Sequence, residues 1–212
     1  NNGRVLRIGT TSPGNDGVRL TIENVTLQNG MITADGAGIY CANNTQLTLN
    51  NVIVSNNRAT NGTTGGSGGG IYAYGTGITV NIIQSTFYGN RAHYHGGALF
   101  KYAGFFSITG TMFDSNTATG YSSSVGGAIR NQSGEITARR TLFRNNIAND
   151  AGGAIHNDDK LKIYECELYR NQSNTQHGGA VYLKSSTAII VNSLLIENQT
   201  LGSTKCGGGI YK

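Results

Sequence analysis

The chain is short of several residue types, and each shortage removes a possibility. Among 212 residues there is one proline, no tryptophan and only 13% charged residues. The three cysteines, Cys41, Cys166 and Cys206, are too few and odd in number for a disulfide framework, and they lack metal-ligand spacing. No run approaches the ~18 consecutive apolar residues of a membrane-spanning helix. An i, i+3, i+4 apolar stripe is missing as well, so amphipathic helices are not expected. The net charge of +5 arises from 16 basic and 11 acidic residues, and the basic ones are scattered singly or in pairs. That distribution reads as a solvated surface, not a nucleic-acid stripe.

Glycine is abundant instead. There are 32, against an average share of ~7%, and half of them sit in one recurring motif. The apolar residue that follows each glycine group is Ile39, Ile71, Leu99, Ile129, Ile155, Val181 or Ile210, at spacings of 32, 28, 30, 26, 26 and 29. Each unit closes on an asparagine: Asn57, Asn90, Asn116, Asn146, Asn171, Asn198. From anchor to asparagine the distance is 18, 19, 17, 17, 16 and 17; from asparagine to the next anchor it ranges from 9 to 14. The near-constant part reads as structure and the variable part as loop.

Within the constant part, apolar residues recur at set offsets. Ten before the asparagine stand Leu47, Val80, Phe106, Ile136, Leu161 and Ala188; eight before, Leu49, Ile82, Ile108, Ala138, Ile163 and Ile190. Five before, the residue is small or medium (Val52, Ser85, Thr111, Thr141, Cys166, Ser193). Three before come Val54, Phe87, Phe113, Phe143, Leu168 and Leu195, and two after come Ala59, Ala92, Ala118, Ala148, Ser173 and Thr200. Steps of two are the strand period, and the break in phase between offsets eight and five marks a corner. A β-sandwich explains alternation but not columns in register. The reading is therefore all-β: a parallel β-solenoid of about seven coils. Residues 1–212 form a single domain, 36–212 regular and 1–35 matching loosely, with Gly30 where an asparagine would stand. Stacked coils join their strands at ~4.8 Å and share one core. Phe87, Phe113 and Phe143 are expected to form a core ladder, and the asparagines a ladder of amides bonded above and below. The glycine pairs should serve a corner that needs positive φ or close backbone approach.

The segments GGAL (96–99), GGAI (126–129, 152–155) and GGAV (178–181) alternate with FYGN (87–90), FDSN (113–116) and FRNN (143–146). This resembles the GGA[ILV]…FxxN repeat of the chlamydial polymorphic outer membrane proteins and the wider set of proteins that share it. Some units depart, with AGI at 37–39 and GGGI at 68–71 and 207–210, and with VSNN, LYRN and LIEN in place of the Phe form. The resemblance implies a right-handed β-helix displayed outside the cell, which in the chlamydial proteins is an autotransporter passenger used in adhesion. The secretion route is not carried over. The expected partner is a surface protein or glycan of a host or neighbouring cell, or like subunits stacked head to tail; no nucleic acid is expected.

β-Helices also carry polysaccharide lyases and hydrolases, and that is the competing reading. A hydrolase needs carboxylates facing one groove ~5–10 Å apart, and a lyase a calcium-binding acidic cluster with a basic proton acceptor. The densest acidic group is Asp158, Asp159, Glu165 and Glu167. Glu165 shares a column with Arg140, Glu197 lies beside Arg170 and Asp114 beside Arg144, so cross-coil pairing on a solvated face accounts for most of it. No catalytic residue, metal or cofactor is assigned; His93, Tyr94 and His95 fall in a variable loop. Cys166 reads as core, and Cys41 and Cys206 lie too far apart to pair.

One column is a candidate contact strip. Directly after the anchors come Tyr40, Tyr72, Phe100, Arg130, His156, Tyr182 and Tyr211, with Tyr74 and Tyr102 two positions on from Tyr72 and Phe100. If the anchors point inward, these point outward, where aromatics stack on sugar rings or fill a protein interface. Packing on one another, or cover by a neighbouring segment, is the plainer alternative. Arg130, Lys101 and Lys184 nearby favour an acidic partner. N-x-S/T sequons stand at Asn24, Asn43, Asn61, Asn131, Asn171 and Asn198. The pattern opens and closes in mid-unit, so further coils or a stacked neighbour are expected at both ends.

Overall fold

A computed structural model describes residues 3–9, 17–60, 65–184, 186–202 and 207–212. A coil runs through four short strands, as in Leu99–Lys101, Phe105–Thr109, Met112–Asp114 and Thr117–Ala118. Equivalent strands of successive coils stack into four sheets of eight, seven, seven and seven strands. These are numbered first to fourth in the order a coil visits them. Seven coils result; among the described residues there is no helix, and the strands of the sheets pair in parallel throughout, with one isolated antiparallel bridge between Gly3 and Met31. Residues 1–35, loosely matched in sequence, contribute the first of them through Leu6–Ile8, Arg19–Glu23, Thr26–Gln28 and Met31–Ile32.

Like residues meet at every level. Leu20, Leu47, Val80, Phe106, Ile136, Leu161 and Ala188 are register partners along the second sheet. Leu27, Val54, Phe87, Phe113, Phe143, Leu168 and Leu195 are partners along the third. The three Phe rings are fully buried and stack at 4.9 and 5.0 Å, nearly parallel. The inward residues of the inner coils are sealed, while Leu20, Ile22, Leu27, Ala188, Ile190 and Leu195 in the end coils are only partly buried.

The phase breaks are corners, each turned by one residue in the left-handed region. Between the second and third sheets that residue is Asn24, Asn51, Gln84, Gly110, Arg140, Glu165 or Asn192. Between the third and fourth it is Asn29, Asn56, Gly89, Ser115, Asn145, Arg170 or Glu197. One left-handed residue reverses the facing of the next side chain, which is why inward positions step by three across a corner and by two within a strand. The small column at the first of these corners caps the backbone: Ser85 donates to the Ile83 carbonyl at 2.8 Å and accepts from the Val52 N–H at 3.1 Å.

At the next corner the asparagines form a closed hydrogen-bond ladder. Asn90 accepts from both the N–H and the amide Nδ2 of Asn57, and it donates through its own Nδ2 to Asn116 Oδ1 at 3.0 Å and to the Val54 carbonyl at 2.8 Å. The pattern repeats down to Asn198. Gly30, in the asparagine position of the first coil, donates its N–H to Asn57 at 2.9 Å. The glycine pairs divide their work. Gly96 has φ +62°, while Gly97 leaves no room for a Cβ, which would run into the Gly127 carbonyl of the next coil.

Candidate functional site

The strip lies on the outer face of the first sheet. Arg7, Tyr40, Tyr72, Phe100, Arg130, His156, Tyr182 and Tyr211 are successive register partners. Strand spacing sets their rings one above another: Tyr40–Tyr72 centroids are 5.5 Å apart, Tyr72–Phe100 5.0 Å, His156–Tyr182 4.8 Å and Tyr182–Tyr211 5.7 Å. The loops leading from the fourth sheet back to the first fold over this column. His95 stacks on Phe100 at 6.3 Å and His177 on Tyr211 at 3.8 Å. Phe100 and His156 are each only 6% exposed in consequence. Burial pushes the Tyr72 hydroxyl up and brings His95 down to about 4. Most of the strip thus packs on itself and under loops. Tyr74 and Tyr102 are the open part, 46% and 38% exposed and 4.9 Å apart, with Tyr74 also stacked on Tyr72 at 5.9 Å.

Arg130 is not free on this face. It holds Asp158 at 2.5 Å, and His156 Nδ1 lies 3.3 Å from the same carboxylate without the alignment of a hydrogen bond. Burial alone would raise Asp158, but His156 and Arg130 outweigh it and bring it down to about 2. Burial lowers the His156 pKa, against the pull of Asp158.

Lys101 overturns its expected place beside the strip. It sits two residues after the inward anchor Leu99, so alternation turns it inward, and it is 0% exposed. Its Nζ donates to Asn131 Oδ1 at 2.7 Å and to the Ser133 carbonyl. Asn131 passes the chain on to Asn157 at 2.6 Å, and Asn157 to the Asp159 carbonyl at 2.8 Å. Burial brings the Lys101 pKa down to about 7, against the pull of Asp159 and Glu135. Of the three expected basic residues, Lys184 alone is exposed, since Arg130 is held by Asp158 and Lys101 is buried.

The four acidic residues do not share a groove. Asp158 serves Arg130, and Asp159 accepts from the Gly134 N–H at 2.7 Å. Glu165 turns the corner beyond the five-residue strand Lys160–Tyr164, and Glu167 opens the third-sheet strand. That intervening strand alone spans about 16 Å. Arg170–Glu197 and Arg144–Asp114 pair across coils at 2.6 and 2.9 Å, whereas no ion pair joins Arg140 to Glu165 among the described residues. No group of three His, Cys, Asp or Glu is placed to hold a metal among the described residues. Cys41 is sealed in the core, which pushes its thiol up to about 12; Cys166 is buried in the corner column, and Cys206 lies outside the described residues. Of the sequons, Asn131 and Asn171 are buried with their amides engaged, Asn198 closes the ladder, Asn24 is exposed and Asn43 accepts from the Thr76 N–H at 2.9 Å. Asn61 lies outside the described residues.

Two residues with no part in the sequence reading stand out in the fold. Arg58 and Arg91 are register partners on the outer face of the fourth sheet, both exposed. Among the described residues neither side chain has an ion-pair or hydrogen-bond partner. The signal was the shared NRA at 57–59 and 90–92, each directly after a ladder asparagine.

Residues 140–158, which hold the FRNN segment that closes one unit and the GGAI segment that opens the next, match the family model of the Chlamydia polymorphic membrane protein repeat. No curated protein and no solved structure matches the chain. The repeat and the parallel β-solenoid together fit a surface-associated β-helix protein.

Proposed function

We propose that the chain is an extracellular β-helix with a structural and adhesive role, presenting a rigid side face to a protein or glycan of another cell surface. The observation that carries this reading is the exposed pair Tyr74 and Tyr102, backed by the stacked and loop-covered Tyr72 and Phe100. Aromatics held by packing lose little freedom on binding and offer large contact area. The repeat at 140–158 supports display at a surface.

The competing reading is a polysaccharide lyase or hydrolase. The separation of Asp158, Asp159, Glu165 and Glu167 onto different edges of the coil speaks against it. Glycan-array and cell-binding assays with the Tyr74→Ala/Tyr102→Ala variant test the adhesive face. Binding lost in the variant supports it, unchanged binding rejects these tyrosines as the contact, and turnover of an acidic polysaccharide overturns the non-catalytic role.

A further inference from the structure

We infer that Arg58 and Arg91 form a binding site for the oxyanion groups of a linear sulfated glycan, on the fourth sheet and apart from the aromatic face. The pair carries an electrostatic cost. Like charges on directly opposed strand positions repel, and this pair is one strand spacing apart, about 4.8 Å. Four other basic residues are compensated across coils: Arg130 by Asp158, Arg144 by Asp114, Lys162 by Glu135 and Arg170 by Glu197. Arg58 and Arg91 have no such acid, and their column neighbours Met31 and Thr117 are uncharged. Two guanidiniums carried on adjacent strands can share one tetrahedral oxyanion, each supplying parallel N–H donors, and the anion converts their repulsion into attraction.

The surroundings are concave on both sides of the pair. One groove runs past Arg58 and Arg91 to His93 and Thr117, and the other runs past the same arginines to Tyr88 and Ser115. A polymer lying across the pair would therefore enter both grooves, meeting hydroxyls on either side and the exposed Tyr88 ring in the second. A pyranose chain with one sulfate at the arginines suits this arrangement. Nucleic acid suits it poorly, since two cations are few against the ~6–10 phosphate contacts of a nucleic-acid site.

This inference names a ligand class for the adhesive reading and rests on it, but not on Tyr74 and Tyr102. The test uses the whole chain and four probes: a heparin-derived hexasaccharide, its desulfated form, inorganic sulfate and single-stranded DNA of equal charge. Binding is measured by calorimetry at low and at physiological salt. The hexasaccharide should bind the wild type, inorganic sulfate should compete, and the desulfated form should not bind. Arg58→Gln/Arg91→Gln should weaken hexasaccharide binding by about tenfold or more, the loss of charge-assisted donors. The charge-matched Arg139→Gln/Arg140→Gln and the Tyr74→Ala/Tyr102→Ala variants should keep it, with thermal melts confirming that each variant folds. Equal loss in the Arg139/Arg140 variant, tighter binding of DNA, or no hexasaccharide binding by the wild type overturns the site. Loss of cell binding in the tyrosine variant with hexasaccharide binding intact leaves this site standing, and the reverse result leaves the aromatic face standing.

Discussion

Two polar columns run inside this solenoid, and they solve the problem of burial differently. The asparagine ladder repeats one self-complementary residue at six levels, so each amide finds the donor and acceptor it needs in the coils above and below. The column at the opposite corner changes identity from coil to coil: Cys41, Ala73, Lys101, Asn131, Asn157, Leu183. There a cation is buried against amide and carbonyl oxygens, with no carboxylate bonded to it among the described residues. Repetition of a residue that can bond its own copy makes burial of a polar group inexpensive. An irregular column leaves an ionisable group whose charged form the fold opposes.

The comparison can be broken hardest at the ladder. Asn116→Ala removes the acceptor of two buried hydrogens of Asn90, its backbone N–H and one of its two Nδ2 hydrogens, while the other stays on the Val54 carbonyl. At ~1–3 kcal/mol for each, the variant should lose about 2–6 kcal/mol in urea denaturation. A loss of a few tenths would mean that water replaces the amide and that the ladder does not stabilise the coil. Phe113→Ala tests whether a regular apolar column behaves likewise. It removes the middle ring of the stack and should cost about 3–5 kcal/mol.

The irregular column is read through pH. The folded Lys101 pKa of about 7 lies below the unfolded value of 10.5, so between these values the unfolded chain binds more protons. Stability from this group is complete above pH 10.5 and is lost as pH falls toward 7, with a slope of up to ~1.4 kcal/mol per pH unit. Lys101→Met should flatten urea midpoints measured across pH 7 to 10; an unchanged slope would place the titration elsewhere. His95 adds a second window of the same sign, its stability present above pH 6.5 and lost as pH falls toward about 4.

The smallest expected effect lies at the corner between the second and third sheets. Glu165 holds φ +55° in the column where Gly110 holds +60°. Glu165→Gly relieves ~1–2 kcal/mol of left-handed strain and loses part of that to chain entropy, leaving a gain of about 0.5–1 kcal/mol in thermal melts. A destabilised variant would show that the Glu165 side chain does something beyond turning the corner.

Much of this was legible from residue order because a parallel in-register stack places like on like. Phe87, Phe113 and Phe143, and the asparagines from Asn57 to Asn198, could be aligned by counting alone. The candidate site was less legible. Alternation from Leu99 already pointed Lys101 inward, yet its charge suggested a surface. That Phe100 and His156 would be covered depended on loops of variable length, which carry no fixed offset to count. The uncompensated pair Arg58 and Arg91 was visible as a shared NRA, but a lone arginine in each unit acquires meaning only when register brings the two together.

What the sequence by itself determined is the coil: its period, its inward columns and the corners where phase breaks. These follow from local rules, since the facing of a strand residue and the conformation of a corner depend on near neighbours. What only the tertiary structure decided is which outward groups remain free. Arg130 is claimed by Asp158, Phe100 by His95 and Tyr211 by His177, while Tyr74, Tyr102, Arg58 and Arg91 stay open. Freedom of that kind is a property of surfaces brought together from residues some 30 positions apart, and no single coil contains it.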